Sequence, residues 1–205
     1  MINAEGRTTR PMLDPRVIAS FRRRRITDAF AELCAEEGYR AITVADIVAR
    51  AKSSRNTFYE EFANRDEAFL AILDAAISEL FGRAEAACGA AGERPEERIE
   101  AGLRAVLDWV AEQPAAASVC LVDSLSATPE SLRLYLEALT RFATLLRGNV
   151  PTEVPRPRTT EESLVGGVAA ILRQRIQSGE AKRVPELLPA LTIFVRAPFI
   201  ATDQL

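Results

Sequence analysis

The chain has 205 residues, 48% of them hydrophobic and only 6% aromatic, with a formal net charge of −3. That is ample for a packed core. No apolar run reaches the roughly 18 residues of a membrane span, and residues 1–14 contain no apolar stretch of the secretory-leader kind, so a cytoplasmic protein is expected. The absence of histidine removes Ser-His-Asp and Cys-His catalysis, and with three scattered cysteines it argues against a zinc site. No metal and no cofactor is expected.

Charge is uneven along the chain. Residues 1–65 carry 12 Lys+Arg against 9 Asp+Glu, and the remainder 14 against 20. A basic N-terminal third on an acidic body suits a protein one end of which meets phosphates, although ordinary scatter gives the same figure.

Residues 1–15 read as a flexible basic arm, with Arg7 and Arg10 available to DNA. A first helix follows from Val17 or Ser20 to Glu37, with Ile26, Ala29, Phe30, Leu33 and Cys34 at the spacing of a buried stripe and Gly38 as its stop. It begins on Arg22-Arg23-Arg24-Arg25, which is either a phosphate clamp through one or two members or a solvated helix start.

Thr43 is a candidate N-cap for a short helix with Val44, Ile47 and Val48 on one face. Ala51-Lys52-Ser53 breaks it, and a second short helix carries Arg55, Asn56, Thr57 and Tyr59 before Phe62. Two short helices joined by a tight turn, the second polar, make a helix-turn-helix, for which DNA is the partner.

Asn64-Arg65-Asp66 reads as a connection into a helix from Asp66 to about Ala87, followed by a break at Gly89, Gly92 and Pro95. Further helices are expected over Pro95–Glu112, 115–125, and from Thr128-Pro129 to Arg147-Gly148. Residues 149–158 hold three prolines and read as a loop. A helix to about Ser178-Gly179 contains Gly166-Gly167, a pair that costs roughly 1 kcal/mol each against Ala and points to close helix packing. The last helix, about 185–199, is apolar almost all round and needs covering. No strand pattern appears, so the chain is expected to be all-α with about nine helices. Cys34, Cys88 and Cys120 read as small buried hydrophobes.

The run helix, Gly-Tyr, Thr-Val-x-x-Ile, Thr-Phe-Tyr-x-x-Phe, Asn-Arg-Asp-Glu and long helix over residues 20–75 resembles the TetR family of bacterial transcriptional regulators. The resemblance implies a three-helix DNA-binding domain over 16–65 and a helical ligand-binding and dimerisation domain over 66–205. It implies a homodimer through the helices at about 161–178 and 185–199, and hence a palindromic operator. It places Thr43 at the cap of the second helix near a phosphate, Ser54, Arg55 and Asn56 at the start of the recognition helix, Thr57 and Tyr59 on phosphates, and Arg65 at the basic position before the long helix. Phe58 and Phe62 pack the domain.

Two departures stand out. Ser53 replaces a usual apolar residue in the turn, and Glu60 and Glu61 put carboxylates where they oppose phosphate approach.

Within the body, Phe81, Trp109, Cys120, Tyr135 and Phe142 are candidates for a ligand pocket, because aromatics line small-molecule sites; the plain alternative is core. The expectation is a DNA-binding regulator, a dimeric repressor released by a small molecule, and not an enzyme. The alternatives are an activator controlled by a protein partner, or a helical scaffold that binds DNA weakly or not at all.

Overall fold

The structure, a computed structural model, describes residues 14–150, 156–157 and 159–199. The basic arm at 1–13 and most of the proline-rich loop lie outside these residues. Among those described there are nine α-helices and no strand.

Helices α1 (Pro15–Glu37), α2 (Val44–Arg50) and α3 (Arg55–Glu61) form the N-terminal unit, with a 3₁₀ turn at Tyr39–Ala41. The body holds α4 (Arg65–Ala90), α5 (Pro95–Glu112), α6 (Pro114–Leu121), α7 (Pro129–Arg147), α8 (Thr160–Gln177) and α9 (Leu188–Arg196). One continuous core joins the two, running from Ile26 and Phe30 through Tyr39 and Phe69 to Val195 and Phe199. Burying a Phe side chain such as Phe30, Phe58, Phe62 or Phe69 contributes about 1.5–3 kcal/mol, and each is at most 1% exposed.

Side-chain caps start four of the helices, α2, α3, α4 and α7. Thr128 and Ser131 form a reciprocal capping box at α7, with Pro129 in the first turn. Asn64 accepts from the Glu67 backbone at the start of α4. At the end of α8, Gly179 at φ 73° lets Glu180 N–H reach the Arg175 carbonyl at 2.8 Å.

Three expectations are corrected. Helix α4 continues through Gly89 to Ala90, since Cys88 is buried and keeps that turn packed. The segment 115–125 is broken at Val122: α6 stops at Leu121, and a 3₁₀ turn over Asp123–Leu125 follows, in which Ser124 Oγ donates to the Cys120 carbonyl at 2.5 Å. The last helix is α-helical only over Leu188–Arg196, after 3₁₀ turns at Ala181–Leu187 that contain Pro185. Proline has no N–H to give an α-helical ladder.

The glycine pair of α8 divides. A Cβ on Gly167 would stand 3.1 Å from Cζ of Phe194 on α9, so the close approach exists there; a Cβ on Gly166 would meet nothing within 4 Å.

Candidate nucleic-acid interface and ligand cavity

The turn between α2 and α3 is held from both sides. Lys52 takes a left-handed conformation at φ 48°. That lets Ser53 N–H reach the Val48 carbonyl at 2.9 Å and Lys52 N–H the Ala49 carbonyl at 3.2 Å. Arg25 on α1 donates to the carbonyls of Ala51 and Lys52, the latter at 2.8 Å, satisfying the exposed end of α2. The partly buried Ser53 sits inside this hydrogen-bonded turn.

Thr43 caps α2. Its hydroxyl accepts from Asp46 N–H at 3.3 Å, and Asp46 Oδ2 accepts from Thr43 N–H at 2.8 Å. This pairing holds the Asp46 carboxyl below its ordinary range, chiefly through the Thr43 hydroxyl. Ser54 caps α3 by accepting from Thr57 N–H at 3.1 Å, and the two hydroxyls stand 2.9 Å apart. The caps thus fix the starts of both short helices on one side of the unit.

From α3, Phe58 points inward and is fully buried, while Arg55, Asn56 and Tyr59 point out. Tyr59 is 55% exposed and rests edge-on against Phe58 at 5.4 Å. Arg55 and Asn56 have no hydrogen-bond or ion-pair partner among the described residues. An exposed Arg-Asn pair at the start of a helix can reach base edges in a major groove.

Arg65 is placed differently. Its guanidinium donates to the Ile42 carbonyl and lies 4.3 Å over the Tyr39 ring, with Asp66 3.9 Å away. It therefore ties α4 to the residue just before the α2 cap. The arginine cluster is also largely engaged within the unit. Arg23 donates to the Glu61 carbonyl at 2.8 Å and covers the Phe62 ring at 4.2 Å. Arg22 and Arg23 stand 3.9 Å from the carboxylates of Glu60 and Glu61 respectively, and Arg24 stands 3.6 Å from Asp28. The two glutamates thus face arginines of α1.

The body encloses an apolar cavity of about 150 Å³ between α4, α5, α6, α7, α8 and α9. Its walls include Ile77, Leu80, Leu103, Val106, Leu139, Val168 and Leu172, and of the expected residues Cys120, Tyr135 and Phe142. Phe81 and Trp109 are not part of the lining. Phe81 packs edge-on against Phe142 at 5.3 Å with Arg141 stacked on it at 4.2 Å. Trp109 is fully buried in the core beyond Val106.

Among the described residues no charged side chain lines the cavity. Burial pushes the Cys120 thiol up to about 12 and raises Cys88 as well, so both stay protonated and unreactive. Among the described residues no group of acids and cysteines could hold a metal ion.

Sequence reading took the start of the 66–87 helix as the link between the two units and did not find a second one, at Asp123. Asp123, 6% exposed, accepts from Tyr39 N–H at 2.9 Å and from Ser118 Oγ at 3.3 Å. Burial raises its carboxyl above the ordinary range against the lowering effect of these two donors. Arg40 adds a bond of 3.3 Å to the Ser126 carbonyl. Nothing in the local sequence marks Asp123 out.

An all-helical chain with a capped helix-turn-helix at one end and a hollow helical body defines a helix-turn-helix DNA-binding regulator. Residues 26–72 match the family model described as bacterial regulatory proteins, tetR family. By that match the helix-turn-helix unit over residues 26–72 is of the tetR family type, and the helical body behind it has the fold of solved regulators of that family.

Among solved structures, the chain is similar to the fatty acid degradation regulator FadR from Bacillus halodurans, with a TM-score of 0.74 at 16% identity, over 85% of this chain and 94% of that one. FadR from Bacillus subtilis, in complex with stearoyl-CoA, gives 0.72 at 17% over 84% and 97%. A TetR family regulator from Marinobacter aquaeolei VT8 gives 0.70 at 19% over 89% and 97%. At these identities the likeness is one of fold. No curated protein matches the chain in sequence. The family and these neighbours are transcriptional regulators rather than enzymes, and no single described helix is long and apolar enough to cross a membrane.

Proposed function

We propose that this regulator is a dimeric repressor that leaves a palindromic operator when an aliphatic small molecule fills the cavity. The observation that carries this reading is a hollow, uncharged cavity whose α6 wall ends two residues before Asp123, the residue that grips the DNA-binding unit. A ligand that reshapes α6 changes the relative energies of two arrangements of the helix-turn-helix, and binding differentially to one of them shifts the population. The stearoyl-CoA carried by the Bacillus subtilis FadR supports an acyl chain as the kind of occupant.

On DNA, Arg55 and Asn56 read base edges, and Tyr59 holds a phosphate. The capped helix starts at Thr43 and at Ser54 and Thr57 add backbone N–H contacts to phosphates. Arg65 serves the same interface by positioning the α2 cap. Dimerisation through α8 and α9 is supported by Ile193 at 71% exposure and by Phe194 at 41%, which packs over Gly167 of α8. Apolar residues this exposed, next to a small-residue stretch, suit a second copy of the same helices.

The test is operator binding by fluorescence anisotropy with rising concentrations of aliphatic amphiphiles. Release from wild type, and none from Ala138→Phe, which fills the cavity from α7, is the expected result. Release of both alike contradicts the cavity as the effector site.

A further inference from the structure

The cavity is almost wholly apolar, and among its lining residues Tyr135 on α7 has a hydroxyl that accepts a hydrogen bond of 2.7 Å from Arg173 Nη2 on α8. Arg173 is fixed from its other side, since its Nε donates to the Leu121 carbonyl at 2.8 Å. It has no carboxylate partner among the described residues. A half-buried guanidinium without a counter-anion leaves a positive charge next to a low-dielectric space, where its field is poorly screened.

The phenol has a donor left over. A tyrosine hydroxyl accepts and donates, and the acceptor side of Tyr135 is taken by Arg173 while its own proton finds no acceptor among the described residues. Of the other polar groups in the wall, Asn149 Nδ2 donates to the Leu145 carbonyl at 2.8 Å and Cys88 Sγ to the Arg98 carbonyl at 3.4 Å. An N–H donated to a hydroxyl polarises it and strengthens its own donation.

We infer that Tyr135 is the polar recognition point of the cavity, donating to an acceptor oxygen of an aliphatic ligand, a carboxylate or an acyl carbonyl. Arg173 is a positioning residue, which orients the phenol and supplies the positive charge that favours an anionic or strongly polarised oxygen. This deepens the effector reading above and rests on it. The same arginine holds the carbonyl of Leu121, the last residue of α6, two residues before Asp123. Ligand recognition and the grip on Tyr39 therefore share one short stretch of chain.

The experiment measures binding of three twelve-carbon probes by calorimetry: dodecanoate, dodecanoyl-CoA, and dodecylamine, whose ammonium can only donate. Wild type is expected to prefer at least one of the two acyl probes to the amine by about tenfold or more, the scale of a hydrogen bond to a charged or polarised group. Tyr135→Phe is expected to lose that preference with amine affinity unchanged. Arg173→Gln is expected to lose the preference for carboxylate in particular, a readout that a purely structural arginine would not move. Preference for dodecanoate alone identifies a free acid, and preference for dodecanoyl-CoA alone an acyl thioester. Equal binding of all three by wild type, or a preference kept in full by Tyr135→Phe, overturns the inference and leaves the apolar effector site standing. Binding of none overturns both.

Discussion

The backbone N–H of Tyr39 donates to Asp123 Oδ1 at 2.9 Å, so a buried carboxylate of the body directly holds the turn that precedes the helix-turn-helix. The tyrosine ring is fixed at the same time, with Phe69 at 4.6 Å on one side and Arg65 at 4.3 Å on another. Asp123→Ala leaves Tyr39 N–H buried without an acceptor, a loss of about 1–3 kcal/mol. Thermal denaturation is expected to show it, together with weaker response of DNA binding to ligand.

The same carboxylate gives a pH signature. Its folded-state pKa is raised, so the folded chain binds the proton more tightly than the unfolded one, and this contribution to stability falls as pH rises from the ordinary carboxylate range through the raised value. Asp123→Asn, which keeps an acceptor oxygen, is expected to remove this pH dependence. Denaturation midpoints of the two proteins between acid and neutral pH check it, and parallel curves contradict it.

Arg55 and Arg65 separate reading from scaffolding. Arg55→Ala removes an exposed side chain with no partner, so stability holds while discrimination between operator and random DNA falls by about 1–3 kcal/mol. Arg65→Ala removes the donor to the Ile42 carbonyl and the cover of Tyr39. It is expected to lower the melting temperature and to weaken all DNA alike. Equal losses on operator and random DNA for Arg55→Ala contradict its role as a base reader.

Arg25→Ala is expected to act through the turn. It strips the Ala51 and Lys52 carbonyls of their partner and leaves Lys52 in a left-handed conformation without that support. A loss of about 1 kcal/mol in stability, with weaker binding to every sequence, is expected. Melting and binding measured on one preparation check it.

Ile193→Glu places a charge on the exposed face of α9. The folded protomer is expected to persist, because the side chain touches little within it, while sedimentation shows a monomer and operator affinity drops steeply. A dimer of unchanged mass contradicts the α8–α9 interface.

Local chemistry was readable where a residue acts on its own neighbours. Thr43 as a cap, Pro129 in a first turn and Gly38 as a stop follow from rules spanning a few residues, while the inward Phe58 and Phe62 came with the family resemblance and the cap made by Ser54 went unread. Relationships across the chain were not readable in the same way. Arg65 serves Ile42 and Tyr39, more than 20 residues earlier, and the charge alone does not distinguish that from a phosphate contact. Trp109 and Cys120 were equal candidates for the ligand pocket, yet only packing decides which interior position borders a void. The breaks at Val122 and Pro185 arise because Asp123 turns toward Tyr39 and because proline withholds a donor, and only the second is written locally.

The most direct measurement is selection of the purified protein against random DNA at two salt concentrations, with sequencing of the bound fraction. A palindromic motif with half-sites one helical turn apart, roughly 34–36 Å, or a multiple of it, bound more weakly at the higher salt, is the expected result. Recovery of no motif at either salt concentration contradicts a dimeric operator-binding repressor.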